Sequence, residues 1–283
     1  MKNIYLSSIA LFGSHKFEEI INFSKKNKIN IEFSSGLEYN ENASELLEAS
    51  NLDCYIHNYF PAPADPFVIN LASTDNIIRE KSINHCINGL NLSKKIGAKF
   101  FSAHAGFCID PDPLQLGSKW DLNKNFNKEL HNDLFIDSLN RILKVANSLS
   151  IKFLIENNVL LKANYIDQKN PLFAVNSDEI LEIFNQIKNH GLGLLFDTGH
   201  FKVSCTTLSL DLDIEYNKIS HIIDAIHHSD NNGKNDTNSV LGTDYWFNRY
   251  YSSTKYLIHI LEVKKLNKEQ ILQQLTFLNN GFK

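Results

Sequence analysis

Arg79, Arg141 and Arg249 are the only arginines among the 283 residues. Guanidinium forks are the usual grip on phosphate groups, and a formal net charge of −4 adds no attraction for a polyanion. Nucleic acid is therefore disfavoured as a partner. Cysteine is scarce as well. Cys54, Cys86, Cys108 and Cys205 lie far apart with no CxxC pair, which fits reduced thiols in a cytoplasmic protein. No apolar run is long enough to span a bilayer. The opening MKNIYLSSIALFGSHKF meets His and Lys too early for a secretory signal. There is no P-loop and no GxSxG elbow. GLGLLFDTG is glycine-rich but lacks the GxGxxG spacing of a dinucleotide turn. No Pro/Gly/Ser-rich linker, repeat or low-complexity tract divides the chain, so residues 1–283 are expected to form one domain.

What remains is an ordinary globular composition, 43% hydrophobic and 21% charged, with a regular alternation. Eight short runs rich in β-branched and aromatic residues predict strands buried on both faces: 3–8, 29–35, 53–59, 98–106, 151–158, 192–200, 224–230 and 255–263. Between several of them the apolar spacing is helical. Helices are predicted over 14–27 with Ser14 as N-cap, 76–98, 134–150, 177–191 with Gly191 as the stop, and 267–281. Eight strand–helix units imply an α/β fold, a single (β/α)8 TIM barrel; a doubly wound open sheet is the structural alternative. Two connections are long, 60–76 and 107–133, as lids and binding loops often are.

The strand ends carry a pattern. Strand three ends near His57 and strand four near His104. Strand five ends at Glu156, and strand six at Asp197 with His200 just beyond. Strand seven carries His227 and His228, then Asp230; strand eight ends at Glu262. In a barrel these C-terminal ends converge at the mouth where active sites lie. Each residue alone has a plain explanation: Asp197 suits a helix cap, and a strand-end histidine is commonly a satisfied polar group. One metal site accounts for all of them together. Mixed carboxylate and imidazole ligands suit Mn, Co, Zn or Fe better than Ca. His227 and His228 are adjacent, so on a strand only one faces the site.

The ordered pieces IHNYFP, INLAS, AHAG, IENN, FDTGH, IHHSDNNG, LGTDYW and LEV resemble the xylose-isomerase-like barrel superfamily. This superfamily holds sugar isomerases and epimerases and the endonuclease-IV-type apurinic endonucleases. The resemblance to the epimerase branch implies one divalent metal ion per chain (Mn, Co, Mg or Zn) on Glu156, Asp197, His227 and Glu262. His227 is chosen over His228 because Asp230 stands three positions on, as in the family pattern. The resemblance further implies that Glu156 and Glu262 are the catalytic pair, passing a proton through a metal-stabilised enediolate of a ketose-like or polyol-derived sugar. It makes His200, with His104, His57 and Asp230, substrate contacts. The endonuclease branch implies extra zinc ligands at His57, His104, His200 and Asp236. There Asn238 stands where that branch has an imidazole, which argues against the full trinuclear set. A barrel that binds a metabolite without chemistry is the third reading. Trp120, Tyr165 and Trp246 are candidate walls of a sugar pocket. Few arginines favour an unphosphorylated substrate, and base rate alone suggests a homodimer.

Overall fold

The computed structural model describes residues 3–11, 16–113, 120, 126–187, 191–264 and 266–281. Eight parallel strands form a nearly closed barrel: β1 (Ile4–Ser7), β2 (Asn30–Phe33), β3 (Cys54–Ile56), β4 (Phe100–His104), β5 (Lys152–Glu156), β6 (Leu192–Asp197), β7 (Ile223–His228) and β8 (Ile258–Leu261). The hydrogen-bonded order runs β3-β2-β1-β8-β7-β6-β5-β4. The ring closes between β3 and β4 through a bridge of His57 with Ser102, where the Asn58 amide donates to the Ser102 carbonyl at 2.7 Å. The single (β/α)8 barrel expected from the alternation is the fold observed, and the open sheet is excluded by that closure.

Nine helices are present among the described residues: α1 (Phe17–Asn27), α2 (Ala43–Ser50), α3 (Asn76–Lys95), α4 (Lys128–Leu149), α5 (Ser177–Gln186), α6 (Thr198–Leu208), α7 (Leu212–Ile219), α8 (Tyr251–Thr254) and α9 (Lys268–Asn279). The helix expected from 134 starts earlier, because the Asn127 side chain caps the Leu130 amide. Asn176 caps α5, which stops at Gln186, short of the Gly191 expected to end it. The expected Ser14 cap lies outside the described residues. Helices α2, α6, α7 and α8 were not expected. The α6 sequence, TGHFKVSCTTL, is rich in β-branched residues that disfavour helix; Asp197 caps it and eight of its residues are buried.

Period-two alternation explains the interior. Ile31, Phe33, Phe153, Ile155, Leu194, Phe196, Ile226 and Leu261 join the core between strands and helices. Tyr5, Tyr55, Phe100, Leu154, Leu195, Ala225 and Ile260 form a separate cluster. The positions two further along β3 and β5–β8 are His57, Glu156, Asp197, His227 and Glu262, so the same strand face that fills the barrel delivers these groups to its C-terminal end. All four cysteines are buried and free. No helix among the described residues is long and apolar enough to cross a membrane.

Candidate metal centre

Glu156, Asp197, His227 and Glu262 each offer one ligand atom, and these atoms all lie within 4.8 Å of one another. All four residues are buried. His227 is the hub: its Nδ1 is 3.1 Å from Glu156 Oε1, 3.0 Å from Glu262 Oε2 and 3.9 Å from Asp197 Oδ2. His228 faces the other way, bonded to Tyr245 and His259.

Asp197 serves two purposes at once. Its Oδ1 accepts the His200 amide at 2.7 Å and so starts α6, while its Oδ2 is buried without a hydrogen bond. Both the helix-cap explanation and the ligand explanation of this carboxylate thus have a separate oxygen. Gly199 permits a close approach: a Cβ there would force Ser229 Oγ to shift. Asn157 locks the arrangement, its side chain donating to the Asp197 carbonyl at 3.0 Å and accepting the Asp197 amide at 2.8 Å. Sequence reasoning assigned no role to Asn157, although it sits in the IENN piece.

The chemistry of the cluster fits a cation. Glu156 Oε2 and Asp197 Oδ2 are buried carboxylate oxygens with no aligned donor, a condition that costs about 1–3 kcal/mol or more per group when nothing compensates. Burial pushes the Asp197 carboxyl well above the usual range; the neighbouring Glu262, Glu156 and Asp236 charges add to this against the pull of His200. Burial alone would lower the His227 imidazole, but Glu262, Glu32 and Glu156 raise it well above its ordinary value. Burial likewise opposes ionisation of Glu156, yet His104, His57 and His227 hold it well below the usual carboxylate value. A dication on three carboxylates and one imidazole would relieve these conflicts.

The raised His227 and Asp197 values carry a sign. Each must lose a proton before its lone pair can ligate, so cation affinity rises with pH and falls as pH drops through their folded values, by up to about tenfold per pH unit for each proton released. Calorimetric titration of Mn2+ in buffers of different ionisation enthalpy is expected to show net proton release. Zero release would contradict this electrostatic picture.

A second group shares Glu156. His57, His104 and Glu156 also bring ligand atoms within 4.8 Å, with His57 Nε2 and His104 Nδ1 at 3.2 and 3.1 Å from Glu156 Oε2. His57 Nδ1 is fixed on Ser102 Oγ at 2.9 Å. Burial lowers His104 to about 4. His200 donates Nδ1–H to the Asn157 carbonyl at 2.9 Å, leaving Nε2 facing Asp236 Oδ2 at 3.5 Å. A cavity of about 690 Å³ opens above, and His57, His104, His200, Asp236, Asn238 and Glu262 all line it.

Asp230 does not join this group. It bonds Lys202 Nζ at 2.7 Å and is not among the described residues that line the cavity. The loop after β7 turns back through the Asp230–Ser239 bridge and presents Asp236 instead. Trp120 lines the cavity, but Trp246 packs on Phe196, Tyr216 and Phe247, and Tyr165 lies beside the separate apolar cluster that includes Trp120.

Fold and cluster define a class: parallel barrels with a carboxylate–imidazole centre at the C-terminal mouth. The chain belongs to the xylose isomerase-like TIM barrel family, whose model matches residues 17–253. It is 27% identical over 202 residues to an uncharacterized protein, MJ1614, of Methanocaldococcus jannaschii, covering 71% of this chain and 67% of that one. Among solved structures it is similar to a D-tagatose 3-epimerase-like protein (TM-score 0.72, 16% identity, 99% of this chain and 96% of that one). It is also similar to endonuclease IV from Thermus thermophilus (TM-score 0.61, 12% identity, 99% and 98%). At these identities the solved structures bear on the fold alone.

Proposed function

We propose that the protein is a divalent-metal-dependent sugar isomerase or epimerase acting on a ketose-like or polyol-derived substrate. The observation that carries this reading is the convergence of Glu156, Asp197, His227 and Glu262 on one point, with Glu262 lining the cavity. A cation held by these four residues would supply Lewis acidity, polarising a substrate carbonyl and offsetting the negative charge that grows on proton loss. The residues themselves handle the proton. Glu156 stands at the end of β5 and Glu262 just past β8, with β6 and β7 between them in the ring. Two carboxylates reaching the centre from different strands suit removal of a proton by one and its return by the other. Glu156 Oε2 lacks an aligned donor, which supports a lone pair free for this role. His200 Nε2 is left to orient a substrate hydroxyl. Lys264 is the single Lys or Arg among the described residues lining the cavity, which supports a substrate without phosphate. Deuterium incorporation from heavy water into a ketose panel tests the proposal; no exchange with any member, on protein carrying one equivalent of Mn2+ or Co2+, would overturn it.

The cluster of His57, His104 and Glu156 favours a second reading, a zinc-dependent phosphodiesterase of the apurinic-endonuclease type, in which paired metals activate water. Metal content separates the two. About one equivalent per chain, unchanged in His104→Ala, is expected for the isomerase. Two or three zinc equivalents, falling in His104→Ala and accompanied by cleavage of abasic DNA, would instead establish the nuclease.

A further inference from the structure

Glu32 is a buried carboxylate in the middle of β2, between Ile31 and Phe33, and it plays no part in the ligand set above. Its two oxygens straddle His227 Nε2 at 3.2 and 3.0 Å, and among the described residues His227 is its only hydrogen-bond partner. Deeper in the barrel the same interior face carries Leu154, Leu195 and Ile260. Volume alone therefore does not explain a carboxylate here.

We propose that Glu32 is a positioning residue for the metal centre: it accepts the Nε2–H of His227 and thereby aims the Nδ1 lone pair at the cation. The inference rests on the metal-centre reading above. An imidazole that ligates through one nitrogen carries its proton on the other. His227 is fully buried, so that proton needs a protein acceptor, and Glu32 is the one in reach. The ring is further confined by His57, packed nearly edge-on with centroids 5.1 Å apart and planes at 77°. A carboxylate does more than orient. Its charge makes the imidazole a stronger donor, and a ligand histidine backed in this way holds its ion more tightly. With Glu156, Asp197 and Glu262 it brings the carboxylates around His227 to four, a balance that calls for a cation.

Co2+ uptake by the full-length, chelator-treated protein tests this, measured by competition with a chromophoric chelator and by the visible absorption of the bound ion. Glu32→Gln keeps size and an acceptor oxygen but removes the charge; Glu32→Met removes both. Glu32→Gln is expected to weaken Co2+ binding roughly 10- to 100-fold. Glu32→Met should lose at least as much and shift the absorption bands as the ring loses its fixed orientation. Both should melt cooperatively without metal. Should Glu32→Met fail to fold, the near-isosteric Gln variant decides. Unchanged affinity and spectrum in a folded Gln variant would reduce Glu32 to a packing residue and overturn the proposal, leaving the metal centre intact. A wild-type protein that takes up no Co2+ would overturn the metal centre and this inference with it.

Discussion

Glu156→Gln is expected to slow proton exchange into the substrate by roughly 10²- to 10⁴-fold while the barrel stays folded. Glu156 is the most shared group of the site: His57, His104 and His227 all approach its carboxylate to within 3.2 Å, and His200 to 3.7 Å. Glutamine fills the same volume but cannot take up a proton as a base. It also removes one of three ligand charges, so metal content is measured alongside exchange. A variant that retains its ion but loses exchange identifies Glu156 as the proton carrier. One that loses both identifies it first as a ligand. Undiminished exchange would remove Glu156 from the catalytic pair altogether.

Stripping the protein of divalent cations is expected to lower its melting temperature by about 10 °C. An ion present at a thousand times its dissociation constant stabilises the folded state by about 4 kcal/mol, and a chain of this size shifts by about 2–4 °C per kcal/mol. The direction follows from the centre itself. Glu156, Asp197 and Glu262 are buried together around one imidazole, and Asp197 resists ionisation chiefly through burial. Scanning calorimetry with and without Mn2+ measures the effect. Glu262→Gln, with one ligand charge fewer, should show a smaller difference between the two states. Identical melting curves for the wild type would speak against any cation at this site.

The architecture was legible because both of its signals are local. Runs such as KFLIE and LGLLFD are apolar on both faces, and caps such as Asp75 and Asn267 stand where helical spacing begins. The His227–His228 choice was partly legible: strand parity allows only one to face inward, and the family pattern selected the one that the structure turns to the centre. The helix α6 was not, because its β-branched sequence argues against helix and its cap is itself a site residue. The ion pair of Asp230 with Lys202 was not legible, because spacing along a chain does not reveal it. Glu32 was not legible from the strand ends because it lies within β2. The signal was nonetheless there, an acid flanked by Ile31 and Phe33 in a run otherwise fit for burial.

The seam between β3 and β4 has a further consequence. His57 supplies both the bridge that joins the ring and an imidazole beside Glu156. A barrel opened at this seam therefore draws His57 away from Glu156 in the same movement. Any ion that needs His57 nearby is bound only by the closed ring, and mass action then sets it against opening. In that arrangement the chemistry of the mouth acts as a clasp on the cylinder beneath it.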